Sequence, residues 1–203
     1  MQDFSTQDWT WIIDVIFGVV FGIGFKQLDE SVTRLSSESA TKVVKHILSS
    51  AGFLIFVFYY VSAYHLLIVR FPYSFSPYSA IRLFLDLVLL FQTMAILTRA
   101  FSLRPEKSTL GIIIAITIWH IGASFWHLLA VMEYEHEKID FIVFIPHYLF
   151  VLIYWGVWGI WLFISKWVEF SEDVSSRGGL YLLSLTAFGV AVFRYIQLFQ
   201  SYG

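Results

Sequence analysis

The sequence predicts an all-α, polytopic integral membrane protein, a bundle of six transmembrane helices, and three observations carry that prediction. Hydrophobic residues make up 58% of the chain and aromatic ones 20%, while only 14% are charged, against about 25% in soluble domains. The apolar residues fall into six runs, each near the roughly 20 residues that cross a hydrocarbon core about 30 Å thick. The runs are long and do not alternate, which favours helices over the strands of a barrel.

The runs are Trp9–Phe25, Ser50–Val69, Ala80–Phe101, Thr109–Met132, Phe141–Lys166 and Gly179–Gln200. Turn chemistry separates them: Phe71-Pro72-Tyr73-Ser74 with Ser76-Pro77, Arg104-Pro105, the charged stretch Glu133 to Asp140, and Glu172-Asp173 followed by Ser175-Ser176-Arg177-Gly178-Gly179. The first connection, Lys26 to Ser49, is the longest, and its amphipathic Thr41–Ile47 reads as a surface helix. Nearly all 203 residues are used by the runs and the short connections between them, which predicts one six-helix transmembrane domain. Met1 to Asp8 is acidic and polar, unlike a secretory leader, so the first run is expected to be retained.

Composition also excludes. A net charge of −2 provides no basic field for nucleic acid. Cysteine and asparagine are both absent, which removes disulfides, thiolate metal sites, a cysteine nucleophile and N-glycosylation. No catalytic constellation, cofactor motif or metal-binding spacing emerges. His120 and His127 are seven apart, hence on one face of a helix but roughly 10 Å apart along it, too far to share one ion.

Loop charge sets an expected orientation. Lys26, Arg34, Lys42, Lys45, Arg99, Arg104, Lys107, Lys166 and Arg177 adjoin the first, third and fifth connections, against Arg70, Arg82 and Lys138 on the other side. The positive-inside rule then puts both termini outside the cytoplasm, with the Glu133–Asp140 loop a solvated face on the same side. The expected location is a plasma or inner membrane rather than an organelle.

Ionisable side chains within the runs are the candidate functional residues, because each costs about 2.5–3.5 kcal/mol on insertion scales unless it is compensated. They are Asp14, His65, Asp86, His120, His127, His147 and Arg194. They form an expected intramembrane polar network, either as helix-to-helix glue, with an Asp paired to Arg194, or as part of a polar path. His147, just after Pro146, is placed at the membrane interface. Trp119 and Trp126 precede His120 and His127, repeating a Trp-His pair that either lines a polar seam or packs in the core. Trp155, Trp158 and Trp161, three apart, read as packing rather than as a cation cage. In the first run Gly18 and Gly22 make a small-xxx-small face for close helix approach, with Gly24 a third small site. Val15, Val19, Gly22, Ile23 and Lys26 follow helical spacing beside it, a narrow stripe that either gates a pore by dewetting or faces lipid.

Asp14-Val15-Ile16-Phe17-Gly18-Val19 resembles the opening of the endolysosomal and bacterial potassium-channel family, whose first helix carries a Phe-Ser-Asp signature. Tyr59-Tyr60-Val61-Ser62-Ala63-Tyr64-His65 is similar to that family's aromatic-rich second helix, and Arg82 to Phe91 to its third, where Asn usually stands at the Asp86 position. The resemblance covers the first half of the chain. It implies a homotetramer with the first helix lining a central pore, Val19 and Ile23 at the constriction, Asp14 bracing the helix entrance and His65 supporting it. It also implies a cytoplasmic N-terminus, opposite to the charge count.

Three functions are therefore compatible with the sequence. The leading one is an oligomeric, ion-conducting or ion-regulated membrane protein. The second is a non-conducting subunit that senses the bilayer and presents its basic loops to a cytoplasmic protein partner. The third is an intramembrane enzyme using His120, His127 and Asp86 on a lipid. An even number of crossings makes a direct prediction: reporters fused at Met1 and at Gly203 label from the same side of the membrane, and labelling from opposite sides would remove or add a helix.

Overall fold

Each run becomes one long helix in the computed structural model: α1 (Thr6–Ser36), α2 (Ala40–Arg70), α3 (Pro77–Ala100), α4 (Pro105–Tyr134), α5 (Ile145–Trp167) and α6 (Glu172–Tyr202). The structure describes residues 6–103, 105–134 and 144–202, with side chains at 11–103, 108–134 and 144–197. The polar opening residues 1–5, most of the acidic connection and the expected start of the fifth span at Phe141 lie outside the described residues.

All six helices contain a stretch long and apolar enough to cross a bilayer. Their outer faces are apolar as well, with Phe84 63% and Phe163 72% exposed. Surface of that kind is stable against lipid, not against water. The chain is a multi-pass integral membrane protein.

Helix ends follow local chemistry. Ser76 caps α3, its hydroxyl accepting from the Ser79 amide at 3.0 Å, with Pro77 opening the first turn. At the end of α5, Glu169 adopts φ 56° and the Phe170 amide reaches back to the Ser165 carbonyl at 2.9 Å, a Schellman closure built without glycine.

Two connections differ from the sequence reading. The expected long first connection and its separate surface helix do not form: α1 continues to Ser36 and α2 begins at Ala40. Thr41–Ile47 is simply the start of α2. A helix of 31 residues is roughly 46 Å long, so its polar end projects beyond the hydrocarbon while the backbone ladder continues. Ser36 and Ser37 then donate to the carbonyls of Thr33 and Arg34 at 2.8 and 2.7 Å, competing with the ladder and ending the helix. Just beyond, Glu38 accepts from Lys42 at 2.6 Å; that bond and the lysine charge hold its carboxyl below the ordinary value. Gly178-Gly179, read as turn residues, lie within α6. They are small because the Trp161 ring rests on them: a Cβ at Gly178 would come within 2.2 Å of it.

α2, α3, α4 and α6 form a ring in which each helix packs on the next. α1 lies against α2 and α3, and α5 against α4 and α6. Only 17% of the residues in the apolar stretches of α1 and α5 are buried, against 56% in α4, so these two helices form the outside. Small residues and single hydroxyls join the ring: the Gly52 amide donates to Ser184 Oγ at 3.0 Å, and Ser50 Oγ donates to the Ala100 carbonyl at 2.8 Å.

A Cβ added at Gly52 would lie 1.8 Å from the Ser184 carbonyl oxygen, whereas one added at Gly156 meets nothing within 4 Å. Gly52→Ala is therefore expected to force α2 from α6 and lower stability by about 1–3 kcal/mol. Gly156→Ala is expected to leave it unchanged or slightly higher. Thermal unfolding of the two purified variants in detergent checks the contrast.

Candidate functional site

Polar and charged side chains collect at the end of the bundle where α2 and α4 finish and α3 and α5 begin. Arg82, one turn into α3, is fully buried. Its guanidinium meets Glu133 of α4 at 3.0 Å and donates to the Phe71 and Pro72 carbonyls at 3.0 and 2.9 Å and to Ser79 Oγ at 3.1 Å. The rings of Tyr73, Trp126 and Tyr134 surround it at 4.9, 5.0 and 5.6 Å. Ser74, Ser76 and Ser79 donate to the Glu133 carboxylate, whose side chain is only 7% exposed. Glu133 is thus not part of a solvated face, and Arg82 is not a loop charge. The pair was legible in principle: consecutive antiparallel helices bring the start of α3 and the end of α4 to one end, where opposite charges then face each other.

One turn below Arg82, Asp86 is 2% exposed and accepts from the Tyr73 hydroxyl, which lies 3.4 Å from that of Tyr64. Burial first, and then the Asp86 charge, raise the Tyr73 hydroxyl above the ordinary tyrosine value and keep it a donor. The expected pairing of an Asp with Arg194 does not form among the described residues, where Arg194 bonds Gln197 at 3.1 Å instead.

His120 is fully buried and its Nδ1 lies 3.3 Å from Nδ1 of His147. His147 is therefore turned into the bundle, because its place in the first turn of α5 aims the side chain at α4. A cavity of about 120 Å³ adjoins the pair, lined by His127, His147 and Arg194 with Tyr59, Tyr60, Tyr64, Trp119 and Trp126. A smaller one of about 30 Å³ holds Asp86. Tyr60, Tyr64, Leu89 and Trp119 form the wall common to both. Both Trp-His pairs thus reach one seam, with the tryptophans buried and His127 at the cavity edge.

The remaining candidates sit on α1. His65 Nε2 of α2 lies 3.4 Å from Asp14 Oδ1, and both side chains are 47% exposed. Val19 is 57% and Ile23 42% exposed, and a Cβ at Gly18 or Gly22 would meet nothing within 4 Å. Lys26 points outward, 3.9 Å from Glu30. Within the chain, close approach is made by Gly24, where a Cβ would lie 3.2 Å from Leu97, and not by Gly18 and Gly22. Trp155 and Trp161 donate to Thr117 Oγ1 and the Ser175 carbonyl at 2.9 and 2.6 Å, tying α5 to α4 and α6.

Comparison of the chain with protein-family models, with curated proteins and with solved structures finds no match. Geometry is what bears on function.

Removing one partner of a buried ion pair strands the other charge, a loss of about 3–5 kcal/mol. Arg82→Met and Glu133→Leu alone are expected to lose that much, and the double variant to regain most of it. A double-mutant cycle on unfolding in detergent measures the coupling.

Proposed function

We propose that the protein is a homo-oligomeric, ion-conducting membrane protein whose pore is lined by α1, in a plasma or inner membrane. The observation that carries this reading is the uncovered face of α1. Asp14, Gly18, Gly22 and Lys26 recur every four residues along it, with Val15, Val19 and Ile23 beside them. None of these seven residues is buried within its own chain. Most such faces on this protein suit hydrocarbon, but this one carries the half-exposed Asp14–His65 pair. A carboxylate facing lipid is too unfavourable to persist, so that end of α1 meets water or another protein chain.

A second copy satisfies all three features together. Its α1 would cover the glycines, the two Asp14–His65 pairs would border water at the entrance, and Val19 and Ile23 would meet at the axis. The resemblance of Asp14–Val19 to the first helix of the potassium-channel family supports the same arrangement and a tetramer. A ring of valine and isoleucine is a gate because water leaves a narrow apolar neck, so a passing ion must shed hydration there.

Val19→Ser is expected to wet the neck and raise ion flux severalfold in reconstituted vesicles, and Val19→Phe to lower it. Lys26→Gln should shift the preference toward cations. If neither the unsubstituted protein nor Val19→Ser passes any ion above empty vesicles, the pore reading fails and a non-conducting membrane subunit replaces it.

A further inference from the structure

Arg194 is a cation on a spanning helix with no carboxylate partner among the described residues. Its Nη1 bonds Gln197, its Nε is buried with no hydrogen-bond partner, and its side chain borders the cavity of about 120 Å³. A charge on a spanning helix that lacks a carboxylate partner calls for a counter-charge.

Several of the other lining residues carry hydrogen-bond donors. The Tyr60 hydroxyl is buried there without a partner, and Tyr59 lies beside Arg194. The histidine pair adds a third donor through its tautomers. His120 Nε2 is buried with no partner, so a proton there would be a stranded donor, and the better arrangement puts it on His120 Nδ1, donating to His147 Nδ1. His147, which lines the cavity, then carries its proton on Nε2. Among the described residues no carboxylate lines this cavity; Asp86 borders the smaller one, where Tyr73 donates to it. The space is several times what a single water needs.

We infer that each chain binds a small monovalent anion, from halide to short carboxylate in size, in the cavity between His147 and Arg194. Arg194 supplies the counter-charge, while His147 and Tyr60 supply neutral donors. Among the described residues none from α1 lines the cavity, so the site is separate from the face of α1 proposed to line the pore.

The test uses the purified full chain in a neutral detergent, with sodium bromide, nitrate or acetate exchanged against bulky gluconate at constant ionic strength. The unfolding midpoint is expected to rise saturably with the three small anions and not with gluconate. Arg194→Gln should abolish the response, Arg194→Lys keep part of it, and His147→Phe weaken binding severalfold. Should Arg194→Gln fail to fold, the unsubstituted chain still decides. Trp119 and Trp126 line the cavity, so iodide should quench their emission saturably and acetate should reverse the quenching. A midpoint that follows ionic strength alone, a response kept in Arg194→Gln, or quenching linear in iodide and insensitive to acetate would overturn the inference. Stabilisation by anionic phospholipid with none from the soluble anions would overturn it too and assign Arg194 to a lipid headgroup.

Discussion

A buried arginine organises this bundle. Arg82 has no exposure to solvent, so the surrounding chain must supply its guanidinium with both a counter-ion and acceptors. Glu133 is the counter-ion, and the Phe71 and Pro72 carbonyls are the acceptors. Those demands fix three separate pieces of chain at once: the start of α3, the end of α4 and the connection that follows α2. The serines at 74, 76 and 79 occupy the remaining lone pairs of Glu133, which leaves the carboxylate no reason to swing toward water. A half-satisfied network in this position would be worse than an apolar one.

With that end of the bundle held, the ring of α2, α3, α4 and α6 can close by backbone proximity rather than by apolar attraction, which lipid already satisfies. The contact of Gly52 with Ser184 shows the principle: one missing Cβ brings α2 within hydrogen-bonding distance of α6. The two outer helices carry less of this burden. α1 and α5 pack with most of their surface turned away from the ring, and so remain available to lipid or to another chain.

The polar groups consequently divide into two sets with different surroundings. Inside the ring, Tyr60 and Tyr64 separate Asp86, which accepts from Tyr73, from the cavity bordered by Arg194 and His147. Outside it, Asp14 and His65 satisfy each other but stay half-exposed. The inner set is enclosed by packed helices, and the outer set lies where its own chain leaves α1 uncovered.

The sequence by itself determined the class of the molecule, because six runs of about 20 apolar residues have one stable solution in a bilayer, and it identified Asp14, Asp86, His120, His127 and Arg194 as groups that need compensation. It could not say which partner each takes, since that depends on which helices are neighbours and how each is rotated. Arg82 and Glu133 escaped notice because, at the ends of apolar runs, they look like ordinary loop charges. The inward turn of His147 was not legible for a related reason: a residue two places into a helix faces inward or outward according to where that helix docks. Gly18 and Gly22 carry the motif for close approach, but rotation of α1 turned Gly24 toward α3 instead. Local pattern measures the need for a partner, and only tertiary packing, through helix neighbourhood and rotation, decides which atoms meet it.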